Sequence, residues 1–153
     1  MSVNNNVDVI NIMEIIERVE NFAREYDLFK AHDKLLIACS GGPDSMALVD
    51  IFQKLSVKYK LEIIVAHAEH GIRKESSLND AWYVKNYCEQ KNIPFFMEHL
   101  NVLEHLKTEK LSVETLARKL RYQFLRKIAK AQNATKIVTA HHLNDQAETV
   151  LQH

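Results

Sequence analysis

Four short apolar runs limit the fold more than any other feature. Each is followed by a segment with helical spacing or by a polar stretch that leads to one. They are KLLIAC, LEIIVAHAEHG, IPFFMEHL and TKIVTA. After its initial lysine the first is apolar throughout, as in strands that are buried on both faces of a parallel sheet. Strands that alternate in this way with long helices predict a doubly wound α/β domain of Rossmann-like type, with one parallel sheet covered on both sides.

The helices are expected at about 7–26, 45–59, 76–91 and 112–132, where apolar residues recur every three or four positions. In the third of these helices Ala81, Val84, Tyr87 and Cys88 fall on one side. The segment 101–111 is polar and has no clear period. A further helix is predicted to begin at His141.

Composition excludes several classes of protein. The 153 residues are 46% hydrophobic and 26% charged, which is ordinary for one globular domain. No apolar run approaches the roughly 20 residues that cross a bilayer, and no secretory signal is visible, so we expect a cytoplasmic protein that does not bind membranes. Cys39 and Cys88 are the only cysteines, and they predict neither a disulfide framework nor a zinc or iron–sulfur site. The net charge of zero argues against a basic surface over the whole domain.

The loop between the first strand and its helix contains two of the three glycines and one of the two prolines. It consists of Ser40, Gly41, Gly42, Pro43, Asp44 and Ser45. Glycine allows positive φ and close approach of a ligand, and proline favours the first position of a helix. Such a loop directs N–H groups and a helix N-terminus at one point, which predicts an anion site. The alternative is an ordinary helix cap formed by Asp44 or Ser45 after a tight Gly-Gly turn.

The remaining side chains of this 40–45 loop indicate a phosphate with a metal ion. The hydroxyls of Ser40 and Ser45 are further donors for phosphate oxygens. A carboxylate next to a phosphate requires a cation between them, so Asp44 predicts Mg²⁺. The sequence has neither GxxxxGK[ST] nor GxGxxG, which excludes the Walker and dinucleotide types of loop.

Ligands of doubly wound sheets lie beyond the carboxyl ends of the strands. Three predicted loops end there, at 40–45, 67–73 and 140–145, and the third glycine, Gly71, lies in the second of them. All three glycines therefore fall on the expected ligand-binding edge.

The segment after the fourth strand has a cluster of polar side chains with helical spacing. His141, Asp145 and Glu148 follow an i, i+4, i+7 pattern and share one helix face. Such a face suits a second metal contact or proton transfer. The alternative is a solvated helix start with Asp145 near its amino end.

A basic segment follows the third strand. Residues 107–130 contain eight basic and two acidic residues, which would suit a patch that faces nucleic acid or a merely solvated helix. Arg118 and Arg121 stand three residues apart, on the same side as Glu114. A simple Glu114–Arg118 surface pair is the alternative to a functional role.

Four motifs taken together resemble the amino-terminal domain of the tRNA(Ile)-lysidine synthases. They are SGGPDSMAL, HAEHGIRKES, ETLARKLRYQFL and TAHHLNDQAETVL, and the resemblance covers about 14–151. The first motif is similar to the PP-loop of the N-type ATP pyrophosphatases, which split ATP between its α and β phosphates. The PP-loop by itself does not separate this family from GMP synthetase or from the enzymes that thiolate tRNA.

The resemblance implies that ATP, with Mg²⁺, adenylates the C2 oxygen of the wobble cytidine in the CAU anticodon of tRNA(Ile). The amine of free lysine then displaces AMP and gives lysidine. The catalytic residues so implied are Asp44, Arg121, His141, Asp145 and Glu148. Asp44 and Asp145 are the implied metal ligands. The partners so implied are this tRNA and free lysine, and a homodimer is a further expectation.

Further nucleotide contacts are implied for the 40–45 loop, for Ala66 and His67 at the end of the second strand, and for Arg118. The sequence departs from the family at Glu69, where Asp or Asn is more usual. His70 fits loop packing and function equally. His32, His99, His105 and Trp82 belong to no motif and are expected to be packing or surface residues.

Two alternatives to a complete ligase remain open, a PP-loop thiolase and a module that binds ATP without catalysis. The thiolases commonly need cysteine pairs that are absent from this sequence. The expected division is a helix at 1–30 packed on a catalytic ATP-binding domain at 31–153. The sequence stops at His153, inside a predicted helix and before the fifth strand expected of this fold.

Overall fold

The computed structural model describes residues 3–71 and 74–140, with side chains from 13 to 71 and from 78 to 140. It has one parallel sheet of four strands, in the order β3-β2-β1-β4. The strands are β1 (Lys34–Ala38), β2 (Glu62–Glu69), β3 (Phe95–His99) and β4 (Lys136–Val138). The helices are α1 (Val3–Glu25), α2 (Pro43–Tyr59), α3 (Lys74–Gln90), α4 (Val102–His105) and α5 (Val113–Ala131).

The first strand is buried on both faces, which explains its unbroken apolar sequence. Leu35 and Ile37 face a cluster that includes residues of α1, α2 and α3, whereas Leu36 faces a second cluster with α4 and α5. All three side chains are 0% exposed. Because successive side chains of a strand point to opposite faces, one short run supplies both cores.

The predicted α/β class and the four predicted strands are confirmed. The expected apolar side of α3 is also confirmed, since Ala81, Val84 and Cys88 are buried. No helix in the part of the chain that the structure describes is long and apolar enough to cross a membrane. The helix predicted from His141 lies outside the described residues.

Two elements differ from the prediction. The polar segment after β3 contains the short helix α4, which is anchored by Val102, a side chain with 0% exposure. A helix of four residues is too short to show a period in the sequence. The second strand continues past His67 to Glu69, because β3 pairs with it as far as Glu69 opposite His99.

Candidate nucleotide site

The 40–45 loop joins β1 to α2 through two glycines with different backbone conformations. Gly41 has φ +91°, which favours glycine, whereas Gly42 is extended, with φ −74° and ψ 165°. Gly42 is the N-cap of α2, and Pro43 is the first helical residue. No side chain caps this helix. The alternative of an ordinary cap formed by Asp44 or Ser45 is therefore wrong.

The hydroxyl of Ser45 organises the loop. It accepts hydrogen bonds from the N–H groups of Ser40 (3.1 Å) and Gly41 (3.2 Å) and donates to the carbonyl of Gly42 (3.0 Å). The N–H of Gly42 donates to the Ser40 hydroxyl at 3.3 Å. Three loop N–H groups thus already have serine acceptors, and an anion that binds to them has to replace these contacts.

The first turn of α2 offers donors that lie outside this network. The first hydrogen bond within the helix runs from the N–H of Met46 to the carbonyl of Gly42. The preceding N–H groups, those of Asp44 and Ser45, have no carbonyl partner within the helix. The Asp44 side chain is exposed beside them, and a carboxylate oxygen is a ligand that Mg²⁺ prefers. Among the described residues no three His, Cys, Asp or Glu side chains form a metal-binding group.

A cavity of about 80 Å³, called the inner cavity here, lies at the carboxyl ends of β1, β2 and β4. It brings together four residues that the sequence assigned to the site, namely Ser40, Ser45, Ala66 and Arg121. Its other walls are Ala38, Cys39, Ala68, His70, Leu125, Thr139 and Ala140.

A second cavity, of about 500 Å³, lies along the amino-terminal half of α5 and is called the outer cavity. It is lined by His70, Val113, Glu114, Thr115, Ala117, Arg118 and Arg121. Arg118, Arg121 and Glu114 thus share one side of α5, as their spacing predicts. His70 and Arg121 line both cavities, so the two spaces adjoin there.

Three guanidinium groups surround one aromatic ring on α5. Those of Arg118, Arg121 and Arg126 lie 5.5, 5.3 and 5.9 Å from the ring centroid of Tyr122, within the range of cation–π attraction. No ion pair joins Glu114 to Arg118 in the described structure, so the alternative of a simple surface pair is not formed. Glu114 nevertheless lines the outer cavity beside both arginines.

Part of the predicted basic segment is neutralised. Lys119 pairs with Glu109 at 3.4 Å, and Lys127 pairs with Glu98 at 2.7 Å. With these two lysines paired, Arg118 and Arg121 at the outer cavity make up a larger share of the unpaired positive charge of this segment than its sequence suggests.

His67, which the resemblance placed at the nucleotide, holds the strand ends together in this structure. It is 3% exposed, and its Nδ1 lies 2.7 Å from the carbonyl oxygen of Cys39. Strand alternation places Ala66 and Ala68 at the inner cavity, whereas His67 is not among the residues that line it. A backbone contact from His67 to a nucleotide stays a prediction.

His99 is an exposed residue, as the sequence interpretation expected, and its side chain makes one structural contact. Its Nδ1 lies 2.6 Å from Oε2 of Glu69, and Oε1 of Glu69 accepts the N–H of Gly71 at 2.6 Å. Glu69 is 6% exposed, and Gly71 has φ +77°. Burial opposes the charge of the Glu69 carboxylate, but the hydrogen bonds from His99 and Gly71 outweigh it and lower its pKa. The longer side chain at this position thus ties β3 to the loop after β2.

His70 directly follows β2, and its Nδ1 is buried without a hydrogen-bond partner. Burial, together with the charge of Arg121, lowers the pKa of its imidazole, which favours the neutral ring at pH 7. The sequence left packing and function equally open for His70, and its place in both cavities favours function.

Both cysteines are buried, and burial raises the pKa of each thiol, to about 12 for Cys88. They are protonated at neutral pH and are not poised as nucleophiles or metal ligands.

The fold and the loop define the class of protein. A glycine-rich SGGPDS loop at the carboxyl end of the central strand of a parallel sheet characterises the PP-loop proteins, and a family model described as "PP-loop domain" matches residues 11–153. The chain belongs to this family. His141, Asp145 and Glu148 lie within the matched range but outside the described residues.

Curated relatives narrow the comparison. The chain is 41% identical over 140 residues to the tRNA(Ile)-lysidine synthase of Thermosipho africanus, covering 92% of this chain and 33% of that protein. It is 38% identical to the enzyme of the same name from Petrotoga mobilis, covering 92% and 45%. A bifunctional protein TilS/HprT of Listeria innocua is 38% identical, covering 88% and 21%. The chain therefore spans less than half the length of these relatives.

Solved structures agree on the fold. The U34-tRNA thiolase NcsA of Methanococcus maripaludis matches with a TM-score of 0.73 at 17% identity, over 88% of this chain and 46% of that one. The NH3-dependent NAD synthetase of Campylobacter jejuni matches with a TM-score of 0.60 at 16% identity, over 82% and 55%. At these identities the likeness extends to the fold alone.

Replacement of Gly41 by alanine tests the loop conformation. A Cβ at Gly41 would lie 2.9 Å from the Cβ of Asp80 on α3 and would carry a φ of +91°. We expect Gly41→Ala to lower the free energy of unfolding by about 2 kcal/mol or more, measured by urea denaturation. The matched control is Gly42→Ala, whose new Cβ would meet only the Ser40 hydroxyl at 3.5 Å. It should change stability by no more than about 0.5 kcal/mol, and equal losses in both variants would contradict this account.

Replacement of Glu69 by glutamine tests the buried carboxylate. A carboxylate whose pKa is lowered on folding adds stability above its unfolded pKa, and this contribution is lost as the pH falls through the folded value. We expect Glu69→Gln to lose about 1–2 kcal/mol at pH 7, with the difference from wild type shrinking at acid pH. The measurement is urea denaturation across this pH range. The control is Glu62→Gln, at the exposed start of the same strand, which should not differ from wild type at either pH. A Glu69→Gln deficit that does not depend on pH would contradict the assignment.

Proposed function

We propose that this chain is the ATP-dependent adenylating domain of a tRNA(Ile)-lysidine synthase. The observation that carries the proposal is that the 40–45 loop opens into the inner cavity, which adjoins a larger cavity at Arg121. ATP at the loop would therefore have its α-phosphate near a space where an acceptor can enter. The names of the curated relatives support the tRNA as this acceptor.

The reaction so proposed has two steps. The C2 oxygen of the wobble cytidine attacks the α-phosphorus of ATP, and the bond to the bridging oxygen breaks, so that pyrophosphate leaves with the electron pair. The amine of lysine then attacks C2 and displaces AMP. Neither step needs a covalent bond to the protein, which acts by positioning the reactants and stabilising charge.

The loop would hold the β and γ phosphates. Its N–H groups donate to neutral serine oxygens in this structure, and phosphate oxygens accept stronger, charge-assisted hydrogen bonds. Ala66 is a small residue of β2 that lines the inner cavity. The backbone of Ala66 and His67 is proposed to contact the adenine.

Arg121 is proposed to stabilise the charge that develops on the α-phosphate. Its guanidinium stacks near the Tyr122 ring and lies at the junction of the two cavities, where nucleotide and acceptor would meet. Arg118 lines only the outer cavity and would act on the nucleotide or the tRNA from that side.

Asp44 is a suitable magnesium ligand, because it offers an exposed carboxylate within the 40–45 loop that would hold the phosphates. Bound Mg²⁺ would neutralise phosphate charge. Asp145 is the proposed second ligand, and His141 and Glu148 the proposed acid–base residues. The same proposal includes a cytoplasmic location and the use of free lysine. It also includes the division into a helix at 1–30 and a catalytic domain at 31–153.

A module that binds ATP without catalysis is the second candidate. It is favoured by the extent of the match, because the chain spans 33% of one curated relative and 45% of another. It predicts that the 153-residue chain binds ATP but releases no pyrophosphate, which calorimetry and a pyrophosphate assay distinguish. Thiolation is not favoured, since the two cysteines of this sequence are buried protonated thiols.

The decisive experiment uses a protein that carries this sequence and continues past His153. It is incubated with ATP, lysine and tRNA(Ile) with a CAU anticodon, and the nucleosides are analysed for lysidine. We expect lysidine, and we expect Asp44→Ala to reduce AMP formation by about 100-fold or more, because a charge-stabilising ligand is lost.

The matched control is Glu104→Ala. Glu104 is also an exposed acid in the first turn of a helix, but its helix, α4, follows β3 and not the 40–45 loop. It should leave AMP formation unchanged. Absence of lysidine from the wild-type reaction would refute the proposed function, and full activity of Asp44→Ala would refute the role of Asp44 alone.

A further inference from the structure

Thr139 is a buried residue whose hydroxyl has no partner. It directly follows β4, is 7% exposed, and its Oγ1 forms no hydrogen bond. Buried polar groups in folded proteins are normally paired, because an unpaired hydroxyl loses its contacts with water without gaining others. A threonine at this position is thus unfavourable for the stability of the unliganded protein.

Thr139 lies at the inner cavity, close to the 40–45 loop. Thr139 lines the inner cavity, together with Ser40 and Ser45 at the two ends of the 40–45 loop. The fourth strand pairs with β1 on the side away from β2. Thr139 therefore approaches the loop from the side opposite to Ala66.

A second unpaired group lies in the same cavity. Nδ1 of His70 is also buried without a partner, at the end of β2. Between these two polar atoms the cavity has small apolar walls, formed by Ala38, Ala66 and Ala68. A ligand with hydrogen-bonding groups on two sides would satisfy both atoms, which an apolar ligand would not.

We propose that Thr139 is a nucleotide-binding residue, whose hydroxyl donates a hydrogen bond to the phosphate chain of bound ATP. This inference rests on the proposed function, since it requires ATP at the 40–45 loop. The phosphate chain is chosen because the two loop serines line the cavity beside Thr139 and because phosphate oxygens only accept hydrogen bonds. The hydroxyl is then paired only in the complex.

The test compares Thr139→Val with Thr139→Ser in the full chain. Valine keeps the shape of threonine but has no hydroxyl, whereas serine keeps the hydroxyl. We expect Thr139→Val to raise the Kd for ATP, measured by calorimetry, by about tenfold or more, and Thr139→Ser to bind within about threefold of wild type. Without ATP, Thr139→Val should have a Tm equal to or above that of wild type, because it removes an unpaired polar group.

The control is Thr135→Val. The hydroxyl of Thr135, just before β4, donates to the carbonyl of Lys34 at 3.1 Å, far from the loop. This variant should lose Tm and keep the wild-type Kd for ATP. A Tm that falls only in Thr135→Val, and a Kd that rises only in Thr139→Val, separate a ligand-binding hydroxyl from a structural one.

The outcomes are distinct. If wild type binds ATP and Thr139→Val binds it equally well, or has a lower Tm, the inference about Thr139 is overturned while the proposed function stands. If wild type and Thr135→Val both fail to bind ATP, the proposed function is overturned and this inference with it.

Discussion

The position of β1 between β2 and β4 is the constraint on which the site depends. From β1 the chain proceeds to β2 and β3 on one side and only then crosses to β4 on the other. Helix α2 follows β1 on one face of the sheet, whereas α5 precedes β4 on the opposite face, so the two helices diverge at this point. In open parallel sheets such a reversal leaves a crevice beyond the carboxyl ends of the strands. The inner cavity occupies this crevice, and Ser40, Ser45, Ala66 and Arg121 line it from the elements that border it.

In the proposed function the 40–45 loop is an anion site, and in this structure its N–H groups are paired within the protein. Its N–H groups converge, and their dipoles would repel one another if they had no acceptor. Ser45 supplies that acceptor from the first turn of α2, and its buried hydroxyl also returns a hydrogen bond to the loop. An incoming phosphate exchanges a neutral acceptor for a charged one, so binding requires a local rearrangement rather than the assembly of a new loop. The serine at the end of the motif is therefore a structural residue as well as a candidate ligand contact.

The parts of the site that sequence predicts are those encoded within a few neighbouring residues. The 40–45 loop and the shared side of Arg118 and Arg121 follow from local spacing, and both are present in the structure. The Glu69–His99 contact joins residues thirty positions apart, and it exists because the register of β2 and β3 places them opposite each other. No local pattern contains that register. The sequence does not predict the unpaired hydroxyl of Thr139 either, since the lack of a partner is a property of the packed structure. Its position at the end of a strand was the only signal in the sequence.

The junction of the two cavities combines a charged residue, Arg121, with a histidine, His70. Three guanidinium groups lie near the face of Tyr122, where the electron-rich ring offsets part of their mutual repulsion. Burial, with a smaller contribution from the charge of Arg121, lowers the pKa of the His70 imidazole. In the proposed reaction Arg121 would stabilise the charge on the α-phosphate. A neutral imidazole at His70 would add no further charge there and would keep a nitrogen available for an uncharged partner.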